Sequence, residues 1–243
     1  MGFGLPFMPG RRGGAYAAAT AAPTGGAQVT RQDDLVGWWK FDEESGTSAP
    51  DASGAGNDGT LVNTDDDEWV SGKFGNALDF DGTDDYVDIV GSESLNLTDN
   101  FSISYWVKHP GGNDNFTVMS KGTNCIWFVG VGHTGDQMKI YNYVYQSGWK
   151  NPNPVVLALV DTWYHIVVTV DVSADEVKSY RDGSLQFTKV IGGSPATNAS
   201  KWNFGRYGTG TLGPFILDDT RFYGVTLSVD DVLAIYNSGD GDL

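Results

Sequence analysis

Thr162-Trp-Tyr-His-Ile-Val-Val-Thr-Val-Asp171 is followed by Glu176-Val-Lys-Ser-Tyr-Arg181 and then by Ser184-Leu-Gln-Phe-Thr188, three short apolar or alternating runs in succession. Only Asp182-Gly183 separates the last two, and such a pair is the two-residue connection whose positive φ angles suit the twist of paired strands. The stretch therefore reads as antiparallel strands joined by tight turns. Working outward, similar segments bounded by Gly, Asn, Asp and Pro fall at 36–41, 77–80, 86–90, 101–109, 117–121, 126–131, 138–145, 201–204 and 215–223, the pattern of an antiparallel sandwich. One helical segment stands apart, where Ser228 caps residues 229–236 and Asp231 follows the cap by three. It is short and is expected to cover one end of the sandwich. No second core or linker interrupts residues 36–237, so the expectation is an all-β domain over 33–243 behind an N-terminal arm over 1–32.

The 243 residues, 40 % hydrophobic and 13 % aromatic, suffice for a sizeable core. A net charge of −16 argues against nucleic acid as a partner, because phosphate binding draws on clustered Lys and Arg. It points instead to solubility, salt or cations. Arg11, Arg12 and Arg31 are the only charged groups before Asp33, so arm and body carry opposite charge. The single Cys125 excludes an internal disulfide. Pro6 and Pro9 interrupt the first apolar run and the arginine pair follows it, which is not the order of a secretory signal. No apolar run approaches the roughly 18 residues needed to span a bilayer, so membrane insertion is not expected.

The arm, with Ala15-Tyr-Ala-Ala-Ala-Thr-Ala-Ala-Pro23 within it, shows neither an alternating nor a helical apolar period and cannot bury enough surface to fold alone. It reads either as a mobile tail or as a docking arm. Phe3, Leu5, Phe7 and Met8 favour the second reading as apolar anchors that a pure linker would not need.

Several stretches together resemble the laminin G-like domain, a jelly roll of the concanavalin A-like lectin/glucanase superfamily. They are Gly37-Trp-Trp-Lys-Phe-Asp-Glu43, Asp51-Ala-Ser-Gly-Ala-Gly-Asn-Asp-Gly59, Gly72-Lys-Phe-Gly-Asn-Ala-Leu-Asp-Phe-Asp-Gly82 and Asp85-Tyr-Val-Asp-Ile89. Phe101-Ser-Ile-Ser-Tyr-Trp-Val107, the 162–171 and 180–183 segments, and Leu217-Asp-Asp-Thr-Arg-Phe-Tyr223 with Leu227-Ser-Val-Asp-Asp-Val232 complete the series in family order. The resemblance implies a concanavalin A-like sandwich. For function it implies binding of sugars or proteins, with glycoside hydrolysis confined to some branches, since one fold hosts many activities.

Hydrolysis needs two carboxylates facing across a sugar. The Glu-x-Asp-x-x-Glu run of the hydrolase branch is missing here: Asp42-Glu43-Glu44, Asp65-Asp-Asp-Glu68 and Asp175-Glu176 fall at turns or strand ends, so no catalytic residue is assigned. His165 reads as a hydrogen-bonded structural histidine and Cys125 as a small core residue. Calcium is the cofactor the composition favours, because it takes six to eight oxygens and the chain is rich in Asp, Asn and turn carbonyls. Alternation puts Asp218 beside Ile216 and Phe222, a costly place for a carboxylate unless it is paired, hydrogen-bonded or metal-bound. The resemblance brings Asp42, Asp51 and Asn57 near it as co-ligands, while a turn role through backbone hydrogen bonds is the alternative. For carbohydrate, Lys139-Ile-Tyr-Asn-Tyr-Val-Tyr145 sets Tyr141, Tyr143 and Tyr145 on one strand face with Trp149 just beyond. That row either packs inside or forms an interface, or it offers a sugar platform.

These features assemble first into a non-catalytic structural or adhesive protein of a larger assembly, a virion decoration or tail component. Its arm would engage neighbouring subunits and its sandwich would face glycans or a host surface, at the virion or extracellular surface without a secretory signal. A free calcium-dependent carbohydrate-binding module is the alternative, and a divergent glycoside hydrolase a third. Exposed strand edges and the arm also favour a homo-oligomer.

Overall fold

The computed structural model describes residues 31–64, 68–89, 93–111, 116–122, 127–134, 137–145, 149–150, 155–157, 159–195, 200–208 and 213–238. In chain order its strands are β1 (Leu35–Trp39), β2 (Ser48–Ala49), β3 (Gly59–Val62), β4 (Trp69–Ser71), β5 (Asn76–Phe80) and β6 (Tyr86–Ile89). Then come β7 (Phe101–Lys108), β8 (Phe116–Lys121), β9 (Trp127–Thr134), β10 (Gln137–Tyr145), β11 (Trp149–Lys150) and β12 (Val155–Leu157). β13 (Tyr164–Asp171), β14 (Glu176–Arg181), β15 (Ser184–Val190), β16 (Trp202–Phe204) and β17 (Phe215–Tyr223) precede the helix α1 (Val229–Asn237).

Two antiparallel sheets form the sandwich. The eight-stranded sheet runs β15-β14-β13-β7-β17-β5-β4, with β1 added on β17, and the nine-stranded sheet runs β11-β10-β9-β8-β16-β6-β3-β2, with β12 added on β10. Residues 164–171 form β13, central in the first sheet. Ile166, Val168 and Val170 alternate into the space between the sheets, where they meet Ile103, Tyr105 and Val107 of β7 and Trp39, Phe204 and Phe222. Burying each such side chain contributes about 2 kcal/mol, and together they hold the layers in register. Asp182 and Gly183 both take positive φ, 50° and 75°, which turns β14 tightly into β15.

The outer face of the eight-stranded sheet is apolar too. Val167, Tyr180 and Tyr223 pack there against Leu227, Val232 and Ile235, so α1 lies on that face. Its start carries the expected capping box: Ser228 Oγ accepts from Asp231 N at 3.2 Å, and the Asp231 carboxylate accepts from Ser228 N at 2.8 Å. Asp231 also takes both Nε and Nη2 of Arg31 at 3.1 Å, which fixes the beginning of the sandwich to the helix. The four arm anchors Phe3, Leu5, Phe7 and Met8, and Cys125, lie outside the described residues.

The closing strand corrects one expectation. Asp219 adopts φ +44°, and the pairing of β17 with β7 shifts register between Asp218 and Arg221. This bulge inserts one residue, so Phe222 enters the core while Asp218 lies on the opposite, outer side of the sheet. Asp218 and Phe222 therefore do not share a face. The αL position accepts Asp more readily than most side chains, and Asp219 is held there by Trp38 Nε1 at 2.8 Å and Arg221 Nε at 2.9 Å.

Candidate functional site: an acidic turn beside the outer face of the nine-stranded sheet

At the end of β5, Phe80 stacks on Phe215 inside the sandwich at 4.6 Å, and the next five residues, Asp81-Gly-Thr-Asp-Asp85, carry the chain across to β6. Asp81 Oδ1 accepts from Thr83 N at 2.6 Å, an Asx turn, and Asp85 Oδ2 accepts from Asp81 N at 2.9 Å. Gly82 is required by conformation and by space, with φ +81° and a Cβ that would stand 2.6 Å from the backbone of Gly213 and Pro214. The tight turn makes three carboxylates converge. Oxygens of Asp81, Asp84 and Asp85 all lie within 4.8 Å of one another, with Asp81 and Asp84 exposed and Asp85 buried. Burial, and then the nearby Asp81 and Glu68 carboxyls, push the Asp85 carboxyl up to about 6 although it accepts the Asp81 N–H.

This donor set suits a hard cation. Asp81 also meets the Thr83 hydroxyl, the Asp84 N–H and the Asp85 carboxyl, so the turn gathers carboxylate charge whose mutual repulsion a bound cation would relieve. The group can hold a metal such as calcium.

Next to the turn, β6 opens with Tyr86, and Arg206 lays its guanidinium 3.6 Å from the centre of that ring. Arg206 Nε makes no hydrogen bond among the described residues. Farther along the outer face stands a polar row set by strand register: Thr60 opposes Asp88, Asp88 opposes Asn203, and Asn203 opposes Ser120. Asp88 accepts from Asn203 Nδ2 and, at 2.9 Å, from Lys201 Nζ, while Ser120 Oγ donates to Arg206 O at 2.6 Å.

The same register locates the tyrosine stretch. Ser120 opposes Phe128, which opposes Tyr143, so position 143 continues the polar row. Ile140, one residue from Tyr141, is fully buried in the core, and Tyr141 itself is half-buried. Positions 141, 143 and 145 thus fall on the outward side of β10, and Trp149 opposes Tyr145 on the neighbouring β11. For Tyr143, Tyr145 and Trp149 the structure describes the backbone position.

The four residues expected to share a metal are not brought into one cluster; among the described residues the converging carboxylates are those of Asp81, Asp84 and Asp85. Asp51 spends both oxygens on backbone, Oδ1 on Trp38 N of β1 and Ser53 N at 2.8 and 2.9 Å and Oδ2 on Asn57 N at 2.9 Å. Asn57 donates to Val36 O and Ser94 Oγ, and its carbonyl accepts from the core Trp39 Nε1. Asp42 and Asp218 instead bracket the 72–76 loop. Asp218 Oδ2 accepts from Lys73 N at 2.7 Å and Phe74 N at 3.0 Å, and Asp42 Oδ1 accepts from Asn76 N at 3.2 Å. Burial, then the Asp219 and Asp42 carboxyls, push Asp218 up to about 8. His165 is sealed under the helix, bonded to Ser104 Oγ at 2.8 Å and set against Trp106 and Tyr236, and burial drives its imidazole down to about 3. It is a neutral structural histidine.

Residues 81–233, which begin at this acidic turn, match the Laminin_G_3 family of the concanavalin A-like lectin/glucanases superfamily. The chain belongs to that family. No curated protein matches it in sequence. Among solved structures it is similar to domain 4 of AbnA, a GH43 extracellular arabinanase from Geobacillus stearothermophilus, solved with arabinotriose. The TM-score there is 0.67 at 18 % identity, over 84 % of this chain and 98 % of that one. It is also similar to the botulinum neurotoxin serotype D ligand-binding domain in complex with N-acetylneuraminic acid, with TM-score 0.66 and 14 % identity over 85 % of this chain and 51 % of that one. The binding domain of Paraclostridial Mosquitocidal Protein 1 gives TM-score 0.67 and 18 % identity over 86 % and 53 %. The chain spans about half the length of the toxin chains it matches, and identities this low show the shared fold.

Sequence reading missed Asp81, Asp84 and Asp85 as a group. The signal was present as three acids in five residues around a glycine, but acids at a turn carry no sign of whether their oxygens converge.

Proposed function

We propose that this laminin G-like domain is a non-catalytic carbohydrate-binding module that takes glycans on the outer face of its nine-stranded sheet and holds calcium at Asp81, Asp84 and Asp85. The observation that carries the reading is the adjacency of the convergent carboxylates, the Tyr86–Arg206 stack and the Asp88–Asn203–Ser120 row. A sugar needs a flat ring for its C–H face and a few fixed polar groups for its hydroxyls; Tyr86 supplies the ring and Thr60, Asp88 and Arg206 the polar groups that reach solvent, while Ser120 and Asn203 are buried and hold that row in place. Positions 141, 143 and 145 of β10 lie on the same outward side, with 149 opposite 145 on β11. The solved relatives that carry arabinotriose and N-acetylneuraminic acid support the ligand class.

Calcium would fix the turn that leads into Tyr86 and supply a cation to which sugar hydroxyls can bind. The chain's own residues do the rest: Asn203 and Lys201 orient Asp88, and Tyr86 holds Arg206 in place. Display on a virion or other assembly through residues 1–32 is compatible with this reading, since it concerns what holds the module rather than what the module binds. A glycan array probed with the full chain in calcium, and again with chelator, tests the proposal. Binding to a defined glycan subset that fades with chelator is expected; no glycan bound in either condition would overturn it.

A further inference from the structure

A cavity of about 510 Å³ lies on the other sheet, on its helix-covered outer face, lined by Asn100, Thr169, Asp171, Lys178, Tyr180 and the 225–229 segment that leads into α1. Its size falls within the roughly 300–1,000 Å³ of small-molecule sites. The walls are pinned from behind. Ser102 Oγ donates to Val225 O at 2.9 Å and accepts from Leu227 N at 2.9 Å, and Thr226 Oγ1 donates to Val170 O at 2.7 Å. Asn100 is likewise fixed, its Oδ1 accepting from Val172 N at 2.8 Å, so its amide nitrogen has a defined direction.

The lining chemistry is mixed and nearly charge-balanced. Lys178 is paired with Glu176 at 2.7 Å, and Asp171 is kept ionised by the Ser173 hydroxyl and the Ala174 N–H on its Oδ1. A lone anion would meet Asp171 and Glu176, and a lone cation would meet Lys178. Val225 and Val229 add apolar surface to the lining, and Leu227 beside them is buried under the helix. A carboxylate, an ammonium and an amide beside a small aliphatic wall are complementary to neighbouring hydroxyls on a ring with one C–H face.

We propose that this cavity is a second, metal-independent saccharide site, taking one or two neutral sugar units. It would make the module bivalent, with its two sites on the outer faces of opposite sheets. Two weak sites that engage one multivalent glycan gain avidity beyond either alone. The cavity shares no residue with the Asp81–Asp85 turn, so it stands or falls separately from the calcium-linked surface.

Saturation-transfer NMR of the full chain in EDTA, with arabinotriose, cellotriose and lactose as probes, tests it. At least one probe should show transfer in EDTA. Val229→Trp should abolish that signal by filling the mouth, and because Val229 is 56 % exposed the variant should melt as the parent does. Lys178→Met should weaken binding about tenfold. No transfer from any probe in EDTA, or transfer that Val229→Trp leaves unchanged, would overturn the second site. Loss of calcium-dependent binding with the EDTA signal intact would overturn only the first.

Discussion

The guanidinium of Arg206 sits 3.6 Å from the centre of the Tyr86 ring, while the Arg206 carbonyl accepts the Ser120 hydroxyl. One residue just past β16 thus reaches both the first residue of β6 and the end of β8. Arg206→Ala and Tyr86→Ala should each lower glycan affinity about tenfold, roughly 1.4 kcal/mol, in calorimetric titrations. Both side chains are only half-buried, so folding stability should change by about 1 kcal/mol or less in urea.

Calcium should raise the melting temperature, because an ion that binds the folded chain and not the unfolded one adds RT ln(1 + [L]/Kd). At a hundredfold excess over Kd the gain is about 2.7 kcal/mol. Asp84→Asn, which alters an exposed side chain, should remove most of that gain while leaving the calcium-free melting temperature equal or slightly higher, since one of the three repelling charges is gone. Differential scanning calorimetry with and without chelator reads both effects.

Gly82→Ala should destabilise the protein by about 2 kcal/mol or more. The added Cβ meets Gly213 and Pro214 at 2.6 Å, and the residue must keep φ +81°. Calcium affinity should fall with it, since the turn that gathers the three carboxylates must open. Urea unfolding and calcium titration of the same variant check the coupling.

Asp218 makes a prediction about pH. Its carboxyl stands at about 8 in the folded chain, raised by burial first, against an ordinary value of 3.8. The folded state therefore holds the proton more tightly; the group's stabilisation is fully present below about 4 and is lost as pH rises toward 8. Asp218→Asn keeps an acceptor for the Lys73 and Phe74 N–H groups without the charge, so the variant should lose less stability than the parent between pH 6 and 9. Asp218→Ala strands those two donors and should cost about 1–3 kcal/mol.

Much of the sandwich could be read directly from residues. β14 and β17 begin and end where alternation and turn residues place them, and Asp182-Gly183 makes the expected hairpin. β2 and β4 went unseen because two or three residues such as Ser48-Ala49 are too short to show alternation. The Asp219 bulge was hidden for another reason: an αL aspartate looks like any other in sequence, yet it reverses the sidedness of every residue after it. Alternation likewise showed that Tyr141, Tyr143 and Tyr145 share a face but not which one; only the pairing of Tyr143 with Phe128, which itself pairs with Ser120, decides that. The resemblance put Asp51 and Asn57 near Asp218 as metal co-ligands, whereas Asp51 accepts the N–H groups of Trp38, Ser53 and Asn57, and Asn57 donates to Val36 O and Ser94 Oγ.

The most direct test is calorimetric titration of the strongest array glycan into the full chain, once in calcium and once in EDTA. The account predicts that affinity falls at least about tenfold in EDTA and that Asp84→Asn in calcium reproduces that fall. Equal affinity in both buffers, with Asp84→Asn binding as the parent does, would contradict it.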